Sequence, residues 1–270
     1  ENDMDLQSII SEVKTLARET GRFIAEQRKN FDSSRVESKQ SHDYVSYVDK
    51  ECERMIVSRL KEILPQAGFI TEEKTIAQDD GSKELYWIVD PLDGTTNFIH
   101  DLAPYSVSIA LRDSKDLLLG VVYEVTRDEL YSAAKGQGAY LNDRAIKVSP
   151  LSDLDQALIM VGYPYNAEAW RDFCLKMTGQ LYGHCASIRS FGSAETELCY
   201  LAAGKIDVYF ESYIQPWDVA AGACILLEAG GKITDYKGGN EKWESGHEVL
   251  ATNGLLHDKM LAEMEKACIN

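Results

Sequence analysis

Long apolar runs are missing from this chain of 270 residues, and no charged-then-apolar leader opens it. Neither a membrane span nor an export signal is expected, which fits a cytoplasmic protein. Positive charge is scarce as well: 28 Lys and Arg face 44 Asp and Glu, for a formal net charge of −16. Non-specific nucleic-acid binding needs clustered cations that displace counterions, so a nucleic-acid partner is disfavoured. The six cysteines (Cys52, Cys174, Cys185, Cys199, Cys224 and Cys268) show no CxxC or CxxH spacing. That removes zinc and redox-motif readings and leaves buried, reduced thiols as the expectation. Internal repeats and low-complexity linkers are also absent. At 44% hydrophobic and 27% charged, the composition is that of a globular chain, long enough for one large domain or two intimately packed halves.

What is present falls into two styles. Leu6, Ile9, Ile10, Val13, Leu16, Ala17 and Ile24 keep a helical stripe behind the cap candidates Asp3 and Asp5. Val48, Cys52, Met55, Ile56, Leu60, Ile63 and Leu64 repeat it, and Pro65 followed by Gly68 stops it. Phe69 to Thr71 reads as a strand ending at Glu72 and Glu73. Between Tyr105 and Val148, short alternating runs separated by Asp, Gly and Asn (106–112, 117–125, 130–133, 139–141) predict a largely antiparallel sheet. After Pro150 strands alternate with helices, as in an α/β layer arrangement: a strand at 158–161, helices at 167–177 and 193–203, and a strand at 206–210. Residues 216–229 predict one helix, apolar almost all round and therefore buried, stopped by Gly230 and Gly231. The acid near its start, Asp218, is then costly unless paired or bound to a metal. Strands at 232–234 and 249–251 and an amphipathic helix through Leu261 and Met264 close the chain.

Residues 87–98, Trp-Ile-Val-Asp-Pro-Leu-Asp-Gly-Thr-Thr-Asn-Phe, carry the densest chemistry. Tyr86 to Val89 predicts a strand with Asp90 at its carboxyl end, where Pro91 forces a turn. Gly94 permits close approach of a ligand, and Thr95, Thr96 and Asn97 suit a helix start. Asp90 and Asp93 are hard oxygen ligands three positions apart, suited to magnesium, and the Gly94 and Thr95 amides can face a phosphate at the same spot. Asp-Pro and Asp-Gly are also common turn dipeptides, so either Asp alone reads equally well as a turn. Glu72 could be a solvated loop acid, Asp49 a surface residue, Asp218 or Thr95 a helix cap, and Glu211 an edge-strand charge.

Thr71-Glu72-Glu73, Asp90-Pro-Leu-Asp93-Gly-Thr-Thr-Asn-Phe98 and Pro216-Trp-Asp218-Val-Ala-Ala-Gly222, in this order, resemble the inositol monophosphatase family. Gly136 to Ala139, Gly162-Tyr-Pro-Tyr165, Gly192-Ser-Ala194 and Phe210-Glu211 extend the similarity over nearly the whole chain. The resemblance implies an α/β fold, an αβαβα sandwich of the sugar-phosphatase type with a mixed or antiparallel first sheet and a smaller second sheet. One half (1–150) would carry most metal ligands and the phosphate-binding turn, and the other (151–270) the substrate contacts and the last ligand. It implies two to three Mg2+ ions, with Mn2+ as a substitute: Glu72, Asp90 and the Leu92 carbonyl on one, and Asp90, Asp93 and Asp218 on a second. Thr95 would orient the attacking water and Asp49 accept from its hydroxyl. Asp93, Gly94, Thr95, Gly192, Ser193, Ala194, Glu211 and Asp218 would contact substrate.

The function so implied is lithium-sensitive, magnesium-dependent hydrolysis of a phosphate monoester, foremost myo-inositol monophosphate, by a homodimer. Activities like those of fructose-1,6-bisphosphatase or histidinol phosphatase are the alternatives within the enzyme class, and a regulatory protein-binding role the alternative outside it. Bound cations would also answer the charge problem, because an acidic surface otherwise repels an anionic substrate. The chain departs from the family pattern around the substrate: Tyr213 stands where a glycine is common, and Glu195 where a small or apolar residue is. Thr96-Asn97 differs from the Thr-Lys of relatives that hydrolyse nucleotide 3′-phosphates.

Overall fold

The computed structural model describes residues 5–40, 43–76, 82–164, 168–245 and 247–268. Helix α1 (Leu6–Lys29) starts at Asp5, whose side chain accepts from the Gln7 and Ser8 amides. Asp3 lies outside the described residues. A hairpin of β1 (Glu37–Gln40) and β2 (Asp43–Val45) leads into α2 (Tyr47–Ile63), β3 (Gly68–Thr71), β4 (Tyr86–Asp93) and the short helix α3 (Thr95–Ile99). Then come β5 (Ser106–Arg112), β6 (Leu117–Glu124), β7 (Glu129–Ala134), β8 (Ala139–Leu141) and β9 (Arg144–Ile146). The rest of the chain supplies β10 (Leu158–Val161), α4 (Glu168–Leu181), β11 (Ser187–Arg189), α5 (Ala194–Ala202), β12 (Val208–Ser212), α6 (Ala220–Glu228), β13 (Lys232–Thr234), α7 (Glu241–Glu244), β14 (Glu248–Thr252) and α8 (His257–Cys268).

Strands β3 to β9 form one seven-stranded sheet in sequence order, antiparallel except for the parallel pair β3 and β4. A five-stranded sheet runs β11-β10-β12-β14-β13 and is mixed, with β10 parallel to both its neighbours. Side chains alternate across each strand, so β4 sends Trp87 and Val89 one way and Ile88 the other. The first face packs on α1 and α2 through Ile24, Val48, Ile56 and Leu60. On the opposite face, Ile88, Ala110 and Val122 meet α5 and α6, which in turn meet Tyr209 and Val249 of the second sheet. The far face of that sheet is closed by α4 and α8 through Met177, Leu181, Met260 and Met264. The result is the expected αβαβα sandwich, with α5 and α6 as the middle layer.

Several expectations shift. Strand β4 does not end at Asp90 but runs to Asp93, because a bulge between those residues takes Pro91 out of the ladder, where its missing N–H costs nothing. The helix expected over 216–229 is two elements. Pro216–Asp218 is a 3-10 turn, and α6 begins only after Val219, whose backbone (φ −135, ψ −23) interrupts the path. The hairpin β1–β2, β9, β11 and α7 were not foreseen, since their polar or very short runs carry no apolar period. The helix expected from Ala167 is α4, with Ala167 and Tyr165 outside the described residues. Not every thiol is buried either: Cys185 is half-buried and Cys268 exposed.

Helix α6 lies tight on the first sheet. A Cβ on Gly120 of β6 would come within 2.5 Å of the Ala221 carbonyl oxygen, a backbone atom that cannot rotate aside. Gly120→Ala is expected to destabilise the fold by about 1–3 kcal/mol through overpacking, measured by denaturant unfolding. An unchanged midpoint would show that the middle layer has room to move.

Candidate active site

The end of β4 and the turn before α6 bring Asp90, Asp93 and Asp218 together, with one carboxylate oxygen from each lying within 4.8 Å of the others. Each acid is anchored through an oxygen. Asp90 Oδ1 accepts from the Leu92 amide (2.9 Å), and Asp218 Oδ2 accepts from the Gln215 amide (2.6 Å), closing the 3-10 turn. Asp93 Oδ2 accepts from the Ser193 hydroxyl (2.6 Å) and the Glu195 amide (2.9 Å). Burial, then the neighbouring acids led by Glu72, raise Asp90 and Asp218 well above the usual carboxylate range. Burial also pushes Asp93 up to about 6, against the bonds from Ser193 and Glu195.

Asp49 is fully buried at the start of α2, where it forms a capping box with Ser46. Its Oδ2 accepts from the Ser46 amide (2.8 Å) and hydroxyl (2.5 Å), and its Oδ1 accepts from the Thr95 hydroxyl (2.7 Å). Thr95 Oγ1 also lies 3.1 Å from the Leu92 carbonyl oxygen. Burial raises Asp49 to about 6, opposed by its Ser46 and Thr95 bonds.

A cavity of about 330 Å³ opens beside these groups. Six acids line it (Glu72, Asp90, Asp93, Glu197, Glu211 and Asp218), and among the described residues no Lys or Arg does. Glu72 sits on the loop after β3. Lys39, brought in by the hairpin, bridges Glu72 (2.8 Å) and Glu73 (2.5 Å). Burial works against the Lys39 ammonium, but the two carboxylates outweigh it and raise its pKa. Beneath that loop the fully buried Glu53 accepts from the Glu73 amide and from the Thr75 amide and hydroxyl, each at 2.7 Å. Sequence reading missed Lys39, Glu53 and Ser46. Only Ser46 left a signal, the Ser-x-x-Asp spacing at a helix start.

Gly94 takes a left-handed φ of +88° at the start of α3, which has no side-chain cap, so the first amides of that helix are free to meet an anion at the cavity wall. Gly192 (φ +76°), Ser193 and Ala194 line the facing wall. Here the hydroxyl of Ser193 is already engaged by Asp93 and Thr196. Glu211 accepts from Tyr209, and burial raises it to about 7. A Cβ at Gly162 would fall 2.0 Å from Glu211 Oε2, so only glycine leaves that carboxylate its place. Tyr213 lines the mouth with φ +61°, a conformation that glycine adopts without strain, which accounts for glycine at that position in the family pattern. Glu195, expected to bear on the substrate, points elsewhere: it is fully buried and its carboxylate lies against the start of α6.

All-oxygen donors, three of them buried or half-buried acids at one point, fit a hard divalent cation such as Mg2+. Without one, the raised acids have a pH signature. They keep protons in the folded chain that the unfolded chain has lost. Their stabilisation is therefore complete below the ordinary carboxylate range and is lost as pH rises through about 6 for Asp49 and about 7 for Glu211. In chelator the melting temperature is expected to fall by several degrees between about pH 5 and about pH 8. A flat or rising calorimetric profile would contradict that.

The sequence profile of the inositol monophosphatase family matches residues 5–268. The chain is 38% identical over 249 residues to the Nus factor SuhB of Escherichia coli K12, covering 92% of each. It is 39% identical over 236 residues to the Nus factor SuhB of Vibrio cholerae, covering 87% of this chain and 88% of that one. Among solved structures, extragenic suppressor protein suhB from Bartonella henselae superposes with a TM-score of 0.89 at 34% identity, covering 96% of this chain and 99% of its own. Inositol monophosphatase from Anabaena gives 0.84 at 32% identity over 97% of each chain. With the profile matched over nearly its whole length and the sandwich shared, the chain belongs to the inositol monophosphatase family, which supports phosphatase activity.

Proposed function

We propose that the chain hydrolyses small polyol or sugar phosphate monoesters, myo-inositol monophosphate foremost, with divalent metal ions bound at Glu72, Asp90, the Leu92 carbonyl, Asp93 and Asp218. The convergence of Asp90, Asp93 and Asp218 within 4.8 Å beside a free helix start carries this reading. An acid-lined cavity repels a phosphate unless cations reverse its sign. Mg2+, or Mn2+ in its place, would neutralise the phosphate and make bound water more acidic.

The chain's own groups do the rest. Thr95 has a single hydroxyl proton, and its bond to Asp49 directs that proton inward. The Thr95 oxygen is then left as an acceptor that orients a water. Asp49, raised to about 6, is a base matched to near-neutral pH and takes the water's proton through Thr95 as the water attacks phosphorus and the P–O ester bond breaks, the departing alkoxide taking a proton from solvent. The Gly94 and Thr95 amides receive the phosphate oxygens. Across the cavity Glu211 accepts from polyol hydroxyls, with Gly192, Ser193 and Ala194 contributing chiefly backbone. Lithium inhibition belongs to the same reading.

A phosphate-release panel of inositol monophosphate, fructose 1,6-bisphosphate, histidinol phosphate and adenosine bisphosphate ranks the substrates. Asp93→Asn and Asp218→Asn are expected to lower turnover by roughly a hundredfold or more and to weaken Mn2+ binding, with the fold retained. Thr95→Ala should lose roughly 100-fold in kcat with Mn2+ affinity kept. Near-normal turnover in either Asp variant would sink the metal assignment.

The relatives named Nus factor give a second reading, a protein-binding role or self-association. Leu102 (58% exposed) and Phe191 (37%) are exposed apolar side chains whose backbones each bond Asn97 of the cavity wall. The net charge of −16 favours a protein over a nucleic acid as occupant. A second copy of the chain comes first. Light scattering should give twice the chain mass, falling to the monomer mass in Leu102→Asp; a monomeric unmodified chain would remove self-association.

A further inference from the structure

Glu195 is a buried carboxylate with no cationic partner among the described ion pairs. A charge in that position is costly unless hydrogen bonds satisfy it. Its partners are telling. Helix α6 starts at Val219 without a side-chain cap, which leaves its first amides orphaned. Glu195 Oε1 accepts from the Ala221 amide (3.2 Å) and Oε2 from the Gly222 amide, so a residue of α5 caps α6. The fit is mutual, because a Cβ on Gly222 would fall 2.6 Å from Glu195 Oε2.

The same residue reaches the other two acids. Its own amide donates to Asp93 Oδ2 (2.9 Å). Its Oε1 accepts from the Ser108 hydroxyl (2.8 Å), and Ser108 stands opposite Asp90 across the β4–β5 ladder. Asp218 lies on the turn that runs straight into the capped helix. One side chain and its amide therefore tie together the carriers of all three acids.

Building on the metal reading above, we infer that Glu195 is a positioning residue that fixes the mutual spacing of Asp90, Asp93 and Asp218 and thereby sets the affinity of the site for a divalent cation. A carboxylate is suited to this and a carboxamide is not. Glutamine at 195 offers one acceptor, and its NH2 group would confront either the Ala221 amide or the Gly222 amide, donor against donor, whichever way it is turned. The substituted helix start is then free to shift against β5, carrying Asp218 with it.

Mn2+ binding without substrate tests this, by calorimetric titration of the full chain. Glu195→Gln is expected to weaken Mn2+ by roughly 10- to 100-fold, as loss of a group that orients ligands does. Raising the metal concentration should restore turnover in Glu195→Gln but not in Asp93→Asn. Unchanged Mn2+ affinity in Glu195→Gln would overturn the inference and leave Glu195 a structural plug, whatever its melting temperature. Should Glu195→Gln fail to fold, Ser108→Ala cuts only the tie to β5; a several-fold weaker Mn2+ site supports the inference and an unchanged one overturns it. If the unmodified chain binds no Mn2+, the metal reading itself falls, and this inference with it.

Discussion

Like charges held close together are the constraint on which the rest of this structure depends. Two unit charges about 4 Å apart repel by about 4 kcal/mol at an effective dielectric near 20. Fully ionised, Asp90, Asp93 and Asp218 would carry such repulsion between each pair, with Glu72 and Asp49 nearby, and without a cation they hold protons instead. The fold offsets it chiefly with backbone amides and hydroxyls: Leu92 for Asp90, Ser193 and Glu195 for Asp93, Gln215 for Asp218, and Ser46 and Thr95 for Asp49. Dipoles anchor an acid without cancelling its charge. A cation can therefore claim these acids by displacing their protons, and among the described ion pairs the nearby ammonium of Lys39 reaches only Glu72 and Glu73 at the edge of the site.

The middle layer turns this local problem into a global one. Helix α6 touches both sheets, closely enough on one side to require Gly120 and on the other to pack on Ile233 and Ala251. Asp218 is set just ahead of that helix, so its position relative to Asp90 is fixed by packing on both faces. Glu53 does the corresponding work for the loop of Glu72, and Glu197 for the backbone at Phe191. Buried glutamates thus brace loops from beneath, a pattern that a tally of hydrophobic contacts would not find.

The long helices and, apart from β9, the strands of the first sheet were legible because their apolar residues keep a period of 3.6 or 2. The hairpin at 37–45 was not, since Glu37-Ser-Lys-Gln40 has no apolar member to alternate, and what holds it in place includes the ion pairs of Lys39 with Glu72 and Glu73. The break at Val219 escaped notice because periodicity does not register a single backbone torsion. Within the site, the acids that carry motifs were visible, whereas the groups that hold them were not. Glu53 and Glu195 read as ordinary surface charges on helices, and nothing local signals that each faces a backbone donor from a distant segment. Only the family pattern singled out position 195, and it suggested the cavity rather than the helix that the side chain caps.

The separation of the carboxylates along the chain has a consequence for how the molecule is made. Glu72, Asp90 and Asp93 leave the ribosome as a group, and Asp218 follows only after more than a hundred further residues. Until α6 is synthesised and docked, the open face of the first sheet and its clustered acids have no lid and lack Asp218. Closure of the sandwich is a long-range event in the sense that slows folding, and cation capture at the full site has to wait for it. On the metal reading proposed above, a nascent chain with its first sheet already formed would lack the complete cation site, and completing it would lock the two sheets together late in folding.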